Sequence, residues 1–221
     1  RYEDADWKES MRVKLDVNNM FADKVGEEHG YTREDVDALQ DKVTAGHKNL
    51  LEAKEAGELD WMKLPETHKE IAQEIKEFAA ENRDKYDNFV VLGIGGSALG
   101  NIAVQTALND PYYNLKEEAR DGCTRLFVPD NVDPTRLKSL LDELDLERTI
   151  FNVISKSGTT AEPMSQFLTA RERVAKELGE DAVSDHFVAV TSKDSGKLIE
   201  IAEREDIKTY YVPDTVGGRF S

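Results

Sequence analysis

The sequence predicts an α/β fold, a doubly wound five-stranded parallel sheet preceded by an N-terminal helical segment. Two observations carry that expectation. After Asp87, short apolar runs recur as NFVVLGIG, TRLFVPD, TIFNVIS, HFVAVTS and KTYYVP, each continuous enough to be buried on both faces. Between them lie stretches of helical period at about 98–108, 134–144, 160–178 and 196–205. Strands of that kind alternating with helices imply a parallel sheet covered on both sides.

The segment ahead of the sheet reads differently. From Thr32 to about Leu59, Val36, Leu39, Val43, His47, Leu50 and Leu51 recur at helical spacing behind Thr32 as N-cap, which predicts one long amphipathic helix. The linker GELDWMKLP, with Gly57 and Pro65, ends it; Trp61 and Met62 are expected to be packing residues. PETHKEIAQEIKEFAAEN then carries Ile71, Ile75, Phe78 and Ala79 on one face. The expected organisation is a helical segment and linker over 1–65 and a ligand-binding domain over 66–221.

Composition excludes several classes. With 221 residues and 39% apolar content the chain can bury a substantial core. A formal charge of −16 repels nucleic acid and anionic lipid, so neither is an expected partner. No run approaches the roughly 18 apolar residues of a membrane span, and RYEDADWKES lacks the apolar core of a signal peptide. These features, with Cys123 as the single cysteine, lead to the expectation of a soluble, cytoplasmic protein. The start at Arg1 without methionine and the final VGGRFS, which reads as the opening of a site, lead us to expect a longer parent protein.

Ligands of doubly wound sheets bind beyond the carboxyl ends of the strands, so the loops there are where chemistry is expected. GIGGSALG follows the first strand. Its glycines permit positive φ and close backbone approach, and the helix starting near Ser97 directs unsatisfied N–H groups at an anion. Gly93, Gly95 and Ala98 also satisfy the dinucleotide pattern, whereas no Gly-Lys-Ser/Thr closes a nucleotide P-loop. After the third strand, Ser155, Lys156, Ser157, Gly158, Thr159 and Thr160 open a helix with a hydroxyl-rich turn. Such a turn suits the three oxygens of a phosphate monoester.

Together GIGGSALG, SKSGTTAEP and VGGRFS resemble, in order, the signature segments of the glucose-6-phosphate isomerase family. The resemblance runs over essentially the whole chain, and SKSGTT looks like the bacterial form. It implies a five-stranded, flavodoxin-like sugar-isomerase (SIS) domain, no cofactor, and a homodimer in the full-length protein; no metal is expected, since no Cys/His/carboxylate cluster has ligand spacing. It further implies that Gly96 and Ser97 lie beside the sugar, that residues Ser155 to Thr160 surround its 6-phosphate, and that Gly218 and Arg219 belong to the site. Arg219 then stabilises an enediolate, a role suited to a permanently charged guanidinium.

The implied reaction interconverts glucose 6-phosphate and fructose 6-phosphate and needs a general base. In the family the base glutamate and ring-opening histidine follow the Gly-Gly-Arg segment. His29, His47, His68 and His186 match neither and are read as structural, and Glu162 as a first-turn helix acid. This chain alone is therefore expected to lack the base and be inactive. Two alternatives stay open: another SIS protein that isomerises or senses phosphosugars, and a nicotinamide-dependent dehydrogenase with Asp130 on the ribose.

Overall fold

The computed structural model describes residues 3–217 and contains two compact units, Arg1–Ala56 and Gly57–Ser221. In the first, Thr32 forms a capping box with Asp35 and starts helix α1 (Arg33–Asp37), and a second helix, α2, runs over Gln40–Glu55. The expected single helix is thus two. The break is at Ala38 and Leu39, where Leu39 N–H bonds the carbonyl of Val36 at 3.0 Å, a three-residue turn that interrupts the α-helical ladder. No residue of either helix is buried.

The second unit carries the sheet. A helical turn at Leu64–Thr67 breaks at His68 (φ −106, ψ 22) before α3 (Lys69–Asn82), so the expected helix from Pro65 starts later. Five strands follow: β1 (Asn88–Leu92), β2 (Arg125–Phe127), β3 (Thr149–Ile154), β4 (Phe187–Thr191) and β5 (Lys208–Tyr211). All pair in parallel, in the order β2-β1-β3-β4-β5. The connecting helices are α4 (Gly96–Leu108), α5 (Pro134–Glu143), α6 (Ala161–Leu178) and α7 (Lys197–Arg204). These elements realise the doubly wound α/β fold that the sequence predicts.

Apolar alternation within each strand divides the core. Val90, Leu92, Phe151, Val153, Phe187 and Ala189 face α5, α6 and α7, where Leu141, Phe167, Val174 and Leu198 join them. Phe187 stacks on Phe151 at 5.1 Å and receives Phe167 edge-on at 5.3 Å. Each such fully buried side chain contributes roughly 2 kcal/mol through loss of apolar surface from water. On the other face Ile150, Val188 and Tyr210 meet Ile71 and Phe78 of α3.

One buried amide fixes the register where the strand order turns. Asn88, 1% exposed, donates to Thr149 Oγ1 at 3.0 Å and accepts from Arg125 Nε at 2.7 Å. Its side chain therefore ties β2, β1 and β3 together at their amino ends. Buried polar groups satisfied in this way resist a slip of register, because any slip leaves them unpaired.

Candidate functional site

The chain leaves β1 toward β2 on one side and pairs β1 with β3 on the other, so the strand order reverses between β1 and β3. The crevice at such a switch point lies beyond the carboxyl ends of those strands. It is flanked by the two segments singled out above, residues 93–97 and 155–160.

The first is shaped by missing side chains. A Cβ on Gly93 would stand 2.7 Å from the Ser97 carbonyl oxygen, and Gly95 adopts φ +57, ψ −123, a conformation that L side chains avoid. Gly95 caps α4 without any side-chain hydrogen bond. Gly96 and Ser97 thus form the first turn of the helix, where Ser97 N–H bonds Ile94 O and Ala98 N–H bonds Gly95 O, both at 3.1 Å, so these two expected anion donors are already engaged.

The second is shaped by hydroxyls. Gly158, at φ +63, closes a turn in which its N–H bonds Ser155 O at 3.0 Å. Ser155 Oγ donates to Thr160 Oγ1 at 3.3 Å, Ser157 Oγ lies 3.2 Å from the same oxygen, and Thr159 Oγ1 donates to Ser157 Oγ at 3.3 Å. These separations are long for hydroxyl pairs, whose usual value is about 2.7–2.8 Å, so the groups hold one another weakly and can turn to a better acceptor. Thr160 is the N-cap of α6 yet makes no side-chain cap bond, which leaves its hydroxyl outside the helix ladder.

The loop is held from behind by its neighbours. Gly196, at φ +111, packs so closely that a Cβ there would meet Ser157 O at 2.4 Å, and Leu198 N–H donates to Gly158 O at 3.2 Å. Ser192 N–H bonds Lys156 O at 3.0 Å. The Lys156 ammonium donates to the carbonyls of Asp214 and Val216 at 3.0 and 2.7 Å, and Ser192 Oγ donates to Asp214 Oδ1 at 2.7 Å. Gly196, Ser192 and Asp214 escaped the sequence reading. DSG ahead of a helix signals only a cap, and none of these contacts is local in sequence.

Other candidates stand apart. Gly218 and Arg219 lie outside the described residues. Glu162 is on the first turn of α6, as expected of a helix acid. His186 is buried just ahead of β4, its Nδ1 2.7 Å from Thr149 O and its ring edge-on to Tyr86, at the amino end of the sheet away from the crevice. Asp130, weighed for a ribose, pairs with Arg136 at 3.5 Å.

Comparison with known families decides the lineage: residues 44–221 match the phosphoglucose isomerase family. The chain belongs to that family. Among relatives, glucose-6-phosphate isomerase of Carboxydothermus hydrogenoformans is 44% identical over 96% of this chain, and that of Rubrobacter xylanophilus 36% over 93%. The chain spans less than half of each, 45% and 46% of their lengths. Of solved structures, a hypothetical protein from Thermus thermophilus superposes with TM-score 0.73 at 34% identity, covering 85% of this chain and 42% of that one. A glucose-6-phosphate isomerase from Chlamydia trachomatis gives 0.57, also at 34%, over 69% and 27%. Phosphoglucose isomerase relatives thus share both the sequence and the sheet. No helix among the described residues is long and apolar enough to cross a membrane.

Proposed function

We propose that this chain is the phosphosugar-binding part of an aldose–ketose isomerase that interconverts glucose 6-phosphate and fructose 6-phosphate. The observation that carries the proposal is the convergence of the Ser155, Ser157, Thr159 and Thr160 hydroxyls at the amino end of an 18-residue helix, beside the β1–β3 switch point. Three phosphate oxygens would draw on these hydroxyls and on the first N–H groups of α6, whose dipole favours negative charge there. In a chain of net charge −16 this local capture matters, because the overall field opposes an anion.

With the phosphate seated, the sugar extends toward Gly96 and Ser97, at the start of α4 on the other flank of the crevice. Proton transfer between neighbouring carbons develops charge on oxygen, and Arg219 is the residue we assign to stabilise it. The base and the ring-opening group belong, in this proposal, to the part of the longer relatives that this chain does not span. The reaction needs no resident cofactor in this scheme. The parent is proposed to be a cytoplasmic homodimer; the uncharged helix α4, with Val104 and Leu108 exposed, is the kind of surface that subunit contact buries.

The test is a backbone-amide NMR titration of the chain with glucose 6-phosphate, using glucose as control. Shifts confined to the phosphorylated sugar and concentrated at 96–97 and 155–160 are expected. Equal response to glucose, or none at 155–160, would count against the phosphate cradle.

A further inference from the structure

We infer that the Lys156 side chain is a positioning residue: its ammonium couples the hydroxyl loop to the segment that leads into Gly218 and Arg219, and does not itself bind the phosphate. This rests on the phosphosugar reading above for its purpose, though not for its geometry. Lys156 lies between Ser155 and Ser157 in sequence, where either its backbone or its ammonium could meet a phosphate. Instead the ammonium donates to Val216 O at 2.7 Å and Asp214 O at 3.0 Å. Two of its three hydrogens are thereby engaged, and both acceptors are carbonyls of one short segment after β5.

Independent ties hold the same parts together. The Lys156 carbonyl accepts from Ser192 N–H at 3.0 Å, and Ser192 Oγ closes the circuit on Asp214 Oδ1 at 2.7 Å. Gly217 completes the fit, since a Cβ there would lie 3.1 Å from the ammonium nitrogen. The loops after β3, β4 and β5 are therefore linked through one lysine. Val216 is buried, and the sequence reaches Arg219 three positions later. Seating a phosphate on Ser157 and Thr160 thus acts on the loop whose Lys156 ammonium holds Val216. Phosphate occupancy would therefore be felt at Asp214, Val216 and Gly217.

The experiment compares wild type, Lys156→Met and Lys156→Arg by amide NMR, with and without glucose 6-phosphate. In the ligand-free Met variant, order parameters at Val216 and Gly217 should fall from about 0.85 to below about 0.6 while residues 157–160 keep theirs; Arg, which retains charged donors, should restore them in part. Affinity for glucose 6-phosphate should drop by no more than about threefold, the loss of a screened charge. The ligand-induced shifts at Val216 and Gly217 should vanish in the Met variant. Retained order at Val216 and Gly217 would overturn the coupling. So would an affinity loss above about tenfold, the signature of a direct charge-assisted bond. If wild type itself fails to respond to glucose 6-phosphate, the phosphosugar reading falls, and the ligand-free relaxation data still decide whether Lys156 holds the segment.

Discussion

The two segments flanking the crevice reach the same end by different means. Residues 93–97 present backbone, made accessible by Gly93 and Gly95, and no side chain caps the helix behind them. Residues 155–160 present hydroxyls and are braced by Gly196, Leu198, Ser192 and the Asp214–Val216 carbonyls. A backbone cradle depends on its own φ and ψ, whereas a side-chain cradle depends on what stands behind it. Substitutions near the first should therefore act locally, and substitutions behind the second should act at a distance.

The largest effect expected is that of Gly196→Ala, in which the new Cβ collides with the Ser157 carbonyl at positive φ. It should cost about 3 kcal/mol or more of stability and abolish ligand shifts at 157–160, measured by urea unfolding and amide NMR. Gly95→Ala meets nothing within 4 Å but must hold φ +57; about 1–2 kcal/mol is expected, with ligand shifts at 157–160 retained. If the two variants behaved alike, the contrast between the loops would be wrong.

Farther back, Arg171, in the second half of α6, bonds Glu205, just past α7, at 2.9 Å and so ties together the two helices that frame the hydroxyl loop. Burial acts to raise the Glu205 pKa, but hydrogen bonds from Arg171 and Arg204 outweigh it and hold the carboxyl below its usual value. A depressed carboxylate stabilises the fold above the ordinary Glu range, about 4.3, and that contribution disappears as pH falls through the lower folded value. Arg171→Met should thus cost about 1–2 kcal/mol at pH 7 and less in acid, seen by denaturant titration at several pH values. The smallest stability effect belongs to Ser157→Ala, within about 0.5 kcal/mol, although glucose 6-phosphate affinity should fall by about tenfold in calorimetric titration.

Much of this was legible in sequence because its causes are local. Continuous apolar runs marked all five strands, and the inner three, β1, β3 and β4, are covered on both faces and need no polar alternation. Gly93, Gly95 and Gly158 announced the crevice loops through conformational demands of their own. The break between α1 and α2 was invisible, because Val36, Leu39 and Val43 keep helical spacing across it while the backbone tightens at Leu39. Gly196 and the partners of Lys156 were equally hidden. Their meaning comes from chain segments far away, and no pattern within a window of sequence contains it.

The order of the strands also governs when the site can come into being. Asn88 and Thr149, paired across β1 and β3, are 61 positions apart, so the crevice between those strands does not exist until β3 has docked. Chain emerging from a ribosome at about 5–20 residues per second would spend several seconds with the β1 edge unmatched. A hairpin cannot relieve this wait, since parallel neighbours require a full crossover. The glycine-rich segment is thus synthesised early and remains without its counterpart, and Asn88, whose partner Arg125 follows 37 positions later, meets Thr149 only after 61.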